Sequence, residues 1–257
     1  MNETYKVQVQ DLVDDLKAVF THAGLGGEAG EYKLLTQSFL YKFLNDKFLY
    51  QAQVLDAGNT YENLLTMSEE DYDWLLEDIG TSTAWLKPDQ LIETLHRQQN
   101  EATFYETFEN TLNQIAIDNN DIFSVHTDGD TAIRLFDERL ITDTISDSSK
   151  RNEVAKAIIN LLTRVKFDET IFSQGFDFFS TLFEYMIKDY NKDGGGKYAE
   201  YYTPHSVAKI IADILVGNDQ PSNVRIYDPS AGSGTLLMNL ASRIGVDKTT
   251  VYSQDIS

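Results

Sequence analysis

The residues with the clearest chemistry are Asp228-Pro229-Ser230-Ala231-Gly232-Ser233-Gly234-Thr235, which place a carboxylate just ahead of a glycine-rich turn. Before the turn stands Val224-Arg225-Ile226-Tyr227, β-rich and short enough for a buried strand. After it, Leu236-Leu237-Met238-Asn239-Leu240 reads as helix. Strand, sharp turn and helix start together make a nucleotide-type site, because backbone N–H groups and the positive helix end gather there. The glycines Gly232 and Gly234, with Ser233 between them, let backbone approach a ligand where a Cβ would clash. Asp228 at the strand tip suits a ligand with a cationic amino group better than a pyrophosphate, which it would repel. Downstream, Val251-Tyr252-Ser253-Gln254-Asp255 reads as a second strand ending in an acid. Asp255 follows Asp228 by 27 positions. That is near the separation of about 20 expected for a ribose-binding acid in a Rossmann-type unit.

The order Asp-Pro-x-x-Gly-x-Gly resembles motif I of the amino-methylating DNA methyltransferases that use S-adenosylmethionine. Upstream, Glu200-Tyr201-Tyr202-Thr203-Pro204-His205 looks like the tyrosine-threonine-proline loop that these enzymes carry before motif I. The three elements in this order look most like the modification subunit (HsdM) of type I restriction–modification systems, in its N-terminal part. The resemblance implies S-adenosylmethionine as cofactor and transfer of its methyl group to adenine N6 in DNA. It also implies a role for each matching residue. Asp228 holds the amino end of the methionine part, and the Gly232-Ser233-Gly234 backbone passes beneath the ligand. Asp255 accepts the ribose hydroxyls, although the family more often has Glu there. Residues Glu200 to His205 cover the methionine side, with Pro204 fixing the bend and opening a helix at Ser206. The implied partners are DNA, reached through a complex, a specificity subunit and, in some assemblies, a restriction subunit.

The same class of enzyme carries Asn/Asp-Pro-Pro-aromatic, whose polar groups bind the target amino group while the ring stacks on a flipped base. The four prolines here, Pro88, Pro204, Pro221 and Pro229, include none that follows Asn or another Pro. No catalytic residue is therefore assigned, and the 257 residues are expected to be an N-terminal portion with no methyl transfer of its own. Two other readings stand beside this one. One is the methyltransferase part of a fused restriction–modification or phage-defence enzyme. The other is a non-catalytic interaction module with a vestigial turn.

Composition limits the alternatives. Cysteine is absent, which excludes disulfides, cysteine-ligated metal and a thiol nucleophile in this sequence. No run reaches about 18 apolar residues, and Met1-Asn2-Glu3-Thr4 lacks the features of a secretory leader. A cytoplasmic protein without membrane contact is expected. The net charge of −20 is uneven: residues 194–257 hold five Lys/Arg and six Asp/Glu, leaving −19 in residues 1–193. So acidic a segment is not built to grip a phosphate backbone by itself.

The elements that must position the site follow from periodicity. The expected fold class is an α-helical N-terminal domain over 1–170, then a connecting helix and glycine linker over 171–196. The start of an α/β Rossmann-like methyltransferase domain, incomplete here, follows over 197–257. Leu12, Val13, Leu16 and Val19-Phe20 mark one helix, ended by Thr21-His22-Ala23-Gly24-Leu25-Gly26-Gly27. Leu34-Leu35, Phe39-Leu40, Phe43-Leu44 and Phe48 predict a second, strongly amphipathic one. Ser68-Glu69-Glu70-Asp71 reads as a helix cap. Lys87-Pro88-Asp89 reads as a helix start, Asp143–Ser149 as a loop and Glu153–Leu162 as a helix. Phe172, Phe176, Phe179 and Phe183 recur at helical spacing, as core packing does.

Asp189-Tyr190-Asn191-Lys192-Asp193-Gly194 with Glu200 fits a calcium-loop pattern. Against it, Gly195-Gly196 puts a glycine where such loops want a β-branched residue, and Lys197 puts a cation where a ligand or water sits. The segment reads as a glycine linker. His22, His96 and His126 lack ligand spacing, and no metal is assigned.

Overall fold

The computed structural model describes residues 3–27, 29–81, 83–123, 125–126, 132–172 and 203–255. The chain divides into two compact units, Asn2–Phe172 and Ser173–Ser257. The aromatic stripe beyond Phe172, the calcium-like loop and Glu200 to Tyr202 lie outside the described residues.

The first unit is helical. Helices α1 (Glu3–Ala23) and α2 (Ala29–Leu55) are followed by α3 (Tyr61–Thr66), α4 (Glu69–Ile79), α5 (Ile92–Gln98) and α6 (Phe104–Asp118). Then come α7 (Asn120–Phe123), the two-residue strands β1 (Val125–His126) and β2 (Ala132–Ile133), α8 (Leu140–Thr144), α9 (Arg151–Leu162) and α10 (Glu169–Phe172). α9 packs on α1, α5 and α6, while α2 packs on α1, α4 and α8.

α2 differs from expectation. Its buried positions include Leu34, Leu35, Phe39, Tyr41, Leu44 and Phe48, but also Glu31, Ser38, Lys42, Asn45 and Asp46. It is a central helix enclosed on several faces, not an amphipathic one lying on a core. Asn45 and Asp46 are buried because they fasten neighbouring segments. Lys42 and Asp46 form an ion pair at 2.8 Å with both side chains about 5% exposed. The other Asp46 bonds come from Asn45 Nδ2 at 2.9 Å and the Phe167 N–H at 2.7 Å. Asn45 in turn accepts from the Ile92 N–H at 2.9 Å, which fixes the start of α5. Burial lowers the Lys42 pKa despite the neighbouring carboxylate, which pulls it the other way.

Local signals explain several element ends. Ser68 caps α4, accepting from the Asp71 N–H at 3.2 Å, with Glu69, Glu70 and Asp71 on the positive helix end. Lys87-Pro88 opens a single 3₁₀ turn, Pro88–Gln90, before α5 starts at Ile92. Residues 143–149, expected as a loop, are partly helical. Glu109 accepts from the N–H and hydroxyl of Thr142 and so holds α8 together to Thr144. That partner is 33 residues away, so no local pattern announces it.

The second unit contains α11 (His205–Val216), β3 (Val224–Asp228), α12 (Thr235–Ile244) and β4 (Thr249–Ser253). β3 and β4 pair in parallel, from Val224 opposite Thr249 to Asp228 opposite Ser253. Two parallel strands joined through a helix form a βαβ unit. Ile226, Leu237 and Ala241 are its buried centre, with Val224, Ala231, Leu240 and Ile244 packed around them. α11 lies on α12 through Ala208, Ala212 and Val216. Arg243 fastens the pair, donating to Asp213 and to the Gly217 carbonyl, each at 2.8 Å. Among the described residues, no helix is long and apolar enough to cross a membrane.

Candidate functional site

The ladder between β3 and β4 does not stop at the strand ends. The Gln254 N–H donates to the Asp228 carbonyl at 3.0 Å, and the Ala231 N–H donates to the Gln254 carbonyl at 2.9 Å. The tail of β4 is thus stitched onto the turn that follows β3. The strand itself ends at Ser253, two residues earlier than the sequence suggests, and Gln254 and Asp255 go on to bond the turn. Thr249 and Thr250, both β-branched, extend it at the other end by pairing with Val224 and Arg225.

The turn is built on two left-handed glycines, Gly232 with φ 52° and Gly234 with φ 73°. Each is a conformation that L side chains adopt at a cost. Gly234 is the N-cap of α12, and its carbonyl accepts the first helical bond, from the Met238 N–H at 2.9 Å. Ser233 is exposed, with its hydroxyl 2.8 Å from that of Thr235. Asn239 is buried and donates to the Thr235 carbonyl at 2.8 Å, which braces the first helical turn.

Asp228, half-buried at the strand tip, accepts on Oδ1 from the Ser230 N–H at 2.9 Å. Its Oδ2 has no hydrogen bond among the described residues. Asp255, exposed, accepts on Oδ2 from the Gly232 N–H at 2.6 Å. The structure therefore brings Asp228, Gly232, Ser233, Gly234 and Asp255 together at the carboxyl ends of two parallel strands. That is the end of an α/β sheet where ligands bind.

Of the upstream loop, Thr203, Pro204 and His205 are described. Pro204 has an extended ψ of 133° and is the N-cap of α11, not a residue inside its first turn. The helix begins at His205, one residue before the expected Ser206, because the Pro204 carbonyl already accepts from the N–H groups of Val207 and Ala208. Thr203 and His205 are half-buried.

Gln254 and Tyr227 are the residues that sequence reasoning did not assign. The Tyr227 hydroxyl donates to Gln254 Oε1 at 2.8 Å, which adds a side-chain brace to the backbone stitching. Neither has a type or spacing that signals this role.

Elsewhere, a cavity of about 410 Å³ in the helical unit includes Lys42, Asp46, Glu62, Glu93, Arg97 and Lys166 in its lining. Its charges are largely paired with each other, Lys42 with Asp46 and Arg97 with Glu62 and Glu93. No chemistry gathers there. His96 bonds Asn160 at 3.1 Å and ties α5 to α9. Among the described residues, no group of three or more His, Cys, Asp or Glu side chains is placed to hold a metal ion.

Comparison with known family models covers the stretch that contains this turn. Residues 174–256 match the family model described as N-6 DNA Methylase. In sequence the chain is similar to part of several type I methylase subunits. It is 24% identical over 268 residues to the methylase subunit of the type I restriction enzyme MpnII from Mycoplasma pneumoniae, across 97% of this chain and 47% of that protein. The MjaIX methylase subunit from Methanocaldococcus jannaschii is 25% identical over 138 residues, 49% of this chain and 24% of its own length. In fold, the chain resembles the crystal structure of the type I restriction–modification system methyltransferase subunit from Streptococcus thermophilus. The TM-score is 0.64 at 20% identity, across 97% of this chain and 53% of that one. The chain thus spans about half the length of the relatives that it matches from end to end.

Proposed function

We propose that this chain carries the methyl-donor-binding part of a type I DNA methyltransferase subunit, which modifies adenine at N6. In this reading β3, the glycine turn, α12 and β4 are the first βαβ unit of a Rossmann-like sheet, and the helical unit serves assembly. The observation that carries the proposal is the pair of carboxylates, Asp228 and Asp255, set on either side of one glycine turn at the strand ends. The donor set fits S-adenosylmethionine, which offers a cationic amino group and ribose hydroxyls to carboxylates. Bound there, it supplies a methyl group activated by a sulfonium centre. Asp228 Oδ2 would bind the amino group and Asp255 the ribose, while Gly232 and Gly234 keep side chains out of the ligand's path. Residues 200–205 would cover the site.

The helical unit's acidity supports a division of labour, in which a specificity subunit reads DNA and this chain contributes the donor site. A restriction subunit would join the same complex.

Calorimetric titration of S-adenosylhomocysteine, the demethylated product, into the intact protein tests the reading. Asp228→Ala should weaken binding by about tenfold or more, about 1.4 kcal/mol. Unchanged affinity in that variant, or no binding by the wild type, would overturn the assignment.

A further inference from the structure

Glycine turns between a strand and a helix commonly bind phosphate, because their N–H groups point outward at the anion. This turn has the same backbone elements but has spent those groups internally. The Ser230 N–H is taken by Asp228 Oδ1 at 2.9 Å and the Ala231 N–H by the Gln254 carbonyl at 2.9 Å. The Gly232 N–H is taken by Asp255 Oδ2 at 2.6 Å and the Gly234 N–H by the Ala231 carbonyl at 2.8 Å. Pro229 has no N–H to offer. Within the turn, Ser233 has the one N–H without an acceptor among the described residues.

Three of the four acceptors belong to the backbone or to Asp228, whose Asx-type bond to Ser230 is local. The fourth, Asp255, is a side chain from the segment that follows β4. We propose that Asp255 is a specificity-determining positioning residue: by holding the Gly232 N–H it closes the turn to phosphate and pyrophosphate groups. The inference rests on the reading of the turn as a cofactor site and adds the ligand class it rejects. A charge-assisted bond to a backbone N–H is stronger than the neutral alternative, so an incoming phosphate must displace a carboxylate rather than water. It must also approach two carboxylates of its own sign. A ligand that brings an ammonium group and hydroxyls meets neither obstacle. The uncapped N–H groups at the start of α12 are untouched by this arrangement, so the selection lies in the turn and not in the helix end.

The test uses inorganic pyrophosphate, which has no ribose and so cannot report on a sugar contact. It is titrated into the intact wild type and into Asp255→Ala and Asp255→Asn, with amide exchange at Gly232 followed in parallel. Asn keeps an acceptor for the Gly232 N–H but removes the charge. Asp255→Ala should bind pyrophosphate about tenfold tighter than wild type and exchange the Gly232 amide faster, while Asp255→Asn, which loses the charge but keeps the acceptor, gains only about threefold on both readouts. Equal gains in the two variants would assign the effect to charge alone and overturn the captured N–H. No gain in either would overturn the proposal outright. Melting temperatures within error of wild type show that the variants fold, and a shifted one for Asp255→Ala directs the comparison to Asp255→Asn alone, where either no gain or a tenfold gain is a refutation. S-adenosylhomocysteine titrated into the same samples separates the two claims. Its failure to bind wild type would sink the cofactor reading, while the pyrophosphate series still decides the role of Asp255.

Discussion

Asp228 and Tyr72 differ in how far the fold itself uses their polar atoms. Asp228 gives one oxygen to its own turn and leaves the other toward the strand ends. Tyr72 is wholly committed to the fold: it is buried, and its hydroxyl donates to the Leu86 carbonyl. Burial, and then the negative charge of Asp89, push its pKa well above the ordinary 10.0. With the folded value raised, the stability contribution is fully present below pH 10 and is lost as pH rises beyond it. Replacing Tyr72 by Phe removes the bond and leaves the carbonyl unpaired, at a cost of about 1 kcal/mol near neutral pH. Denaturation of both proteins at about pH 8 and about pH 11 should show this difference shrinking on the alkaline side. A difference that holds constant across the two pH values would mean that the phenol's ionisation is not coupled to folding.

At the scale of elements, the turn between β3 and α12 depends on backbone conformation more than on space. A Cβ built on Gly234 would meet only Met238 Cγ, at 4.0 Å, yet φ is 73°. Gly234→Ala should therefore cost about 1–2 kcal/mol through the left-handed backbone and not through a clash. Gly234→Asn should cost less, since Asn tolerates that region. Amide exchange along α12 measures both, and equal effects of Ala and Asn would point to a steric cause instead. This is also where the sequence was most legible. Glycines that enforce a turn, Ser68 as a cap and Val224–Tyr227 as a strand are local statements, and the chain makes them locally. What the sequence could not announce were contacts made at a distance. Glu109 reaches Thr142 to extend a helix into an expected loop, Asp46 reaches Phe167, and Gln254 stitches β4 to the turn. The apolar run of α2 predicted a helix, but its enclosure by α1, α4 and α8 is a property of those partners.

At the scale of the whole molecule, the two units differ in how much apolar surface each removes from water. In the helical unit, Phe39, Phe48, Phe104, Phe108, Phe136 and Phe167 are all 2% exposed or less. In the other unit, β3 and β4 form a sheet of two strands among the described residues, with Tyr227 60% and Tyr252 50% exposed. α11 presents Val207, Ile210, Ile211, Ile214 and Leu215 at helical spacing, all between 40% and 74% exposed. Sheets usually need three or more strands, or a covering helix, for independent stability. The second unit should therefore open at lower free energy than the first. Native-state hydrogen exchange should find the slowest amides in α2, α6 and α9 and clearly faster exchange throughout β3, β4 and α11. Both tryptophans, Trp74 and Trp85, lie in the helical unit, so tryptophan fluorescence on heating should report a later transition than the loss of β3 and β4 protection. S-adenosylhomocysteine at saturating concentration should slow exchange in β3, β4 and α12 and leave α6 and α9 unchanged, because a ligand stabilises only the unit that it binds. Equal protection in both units, with one shared transition, would show that the second unit does not open on its own.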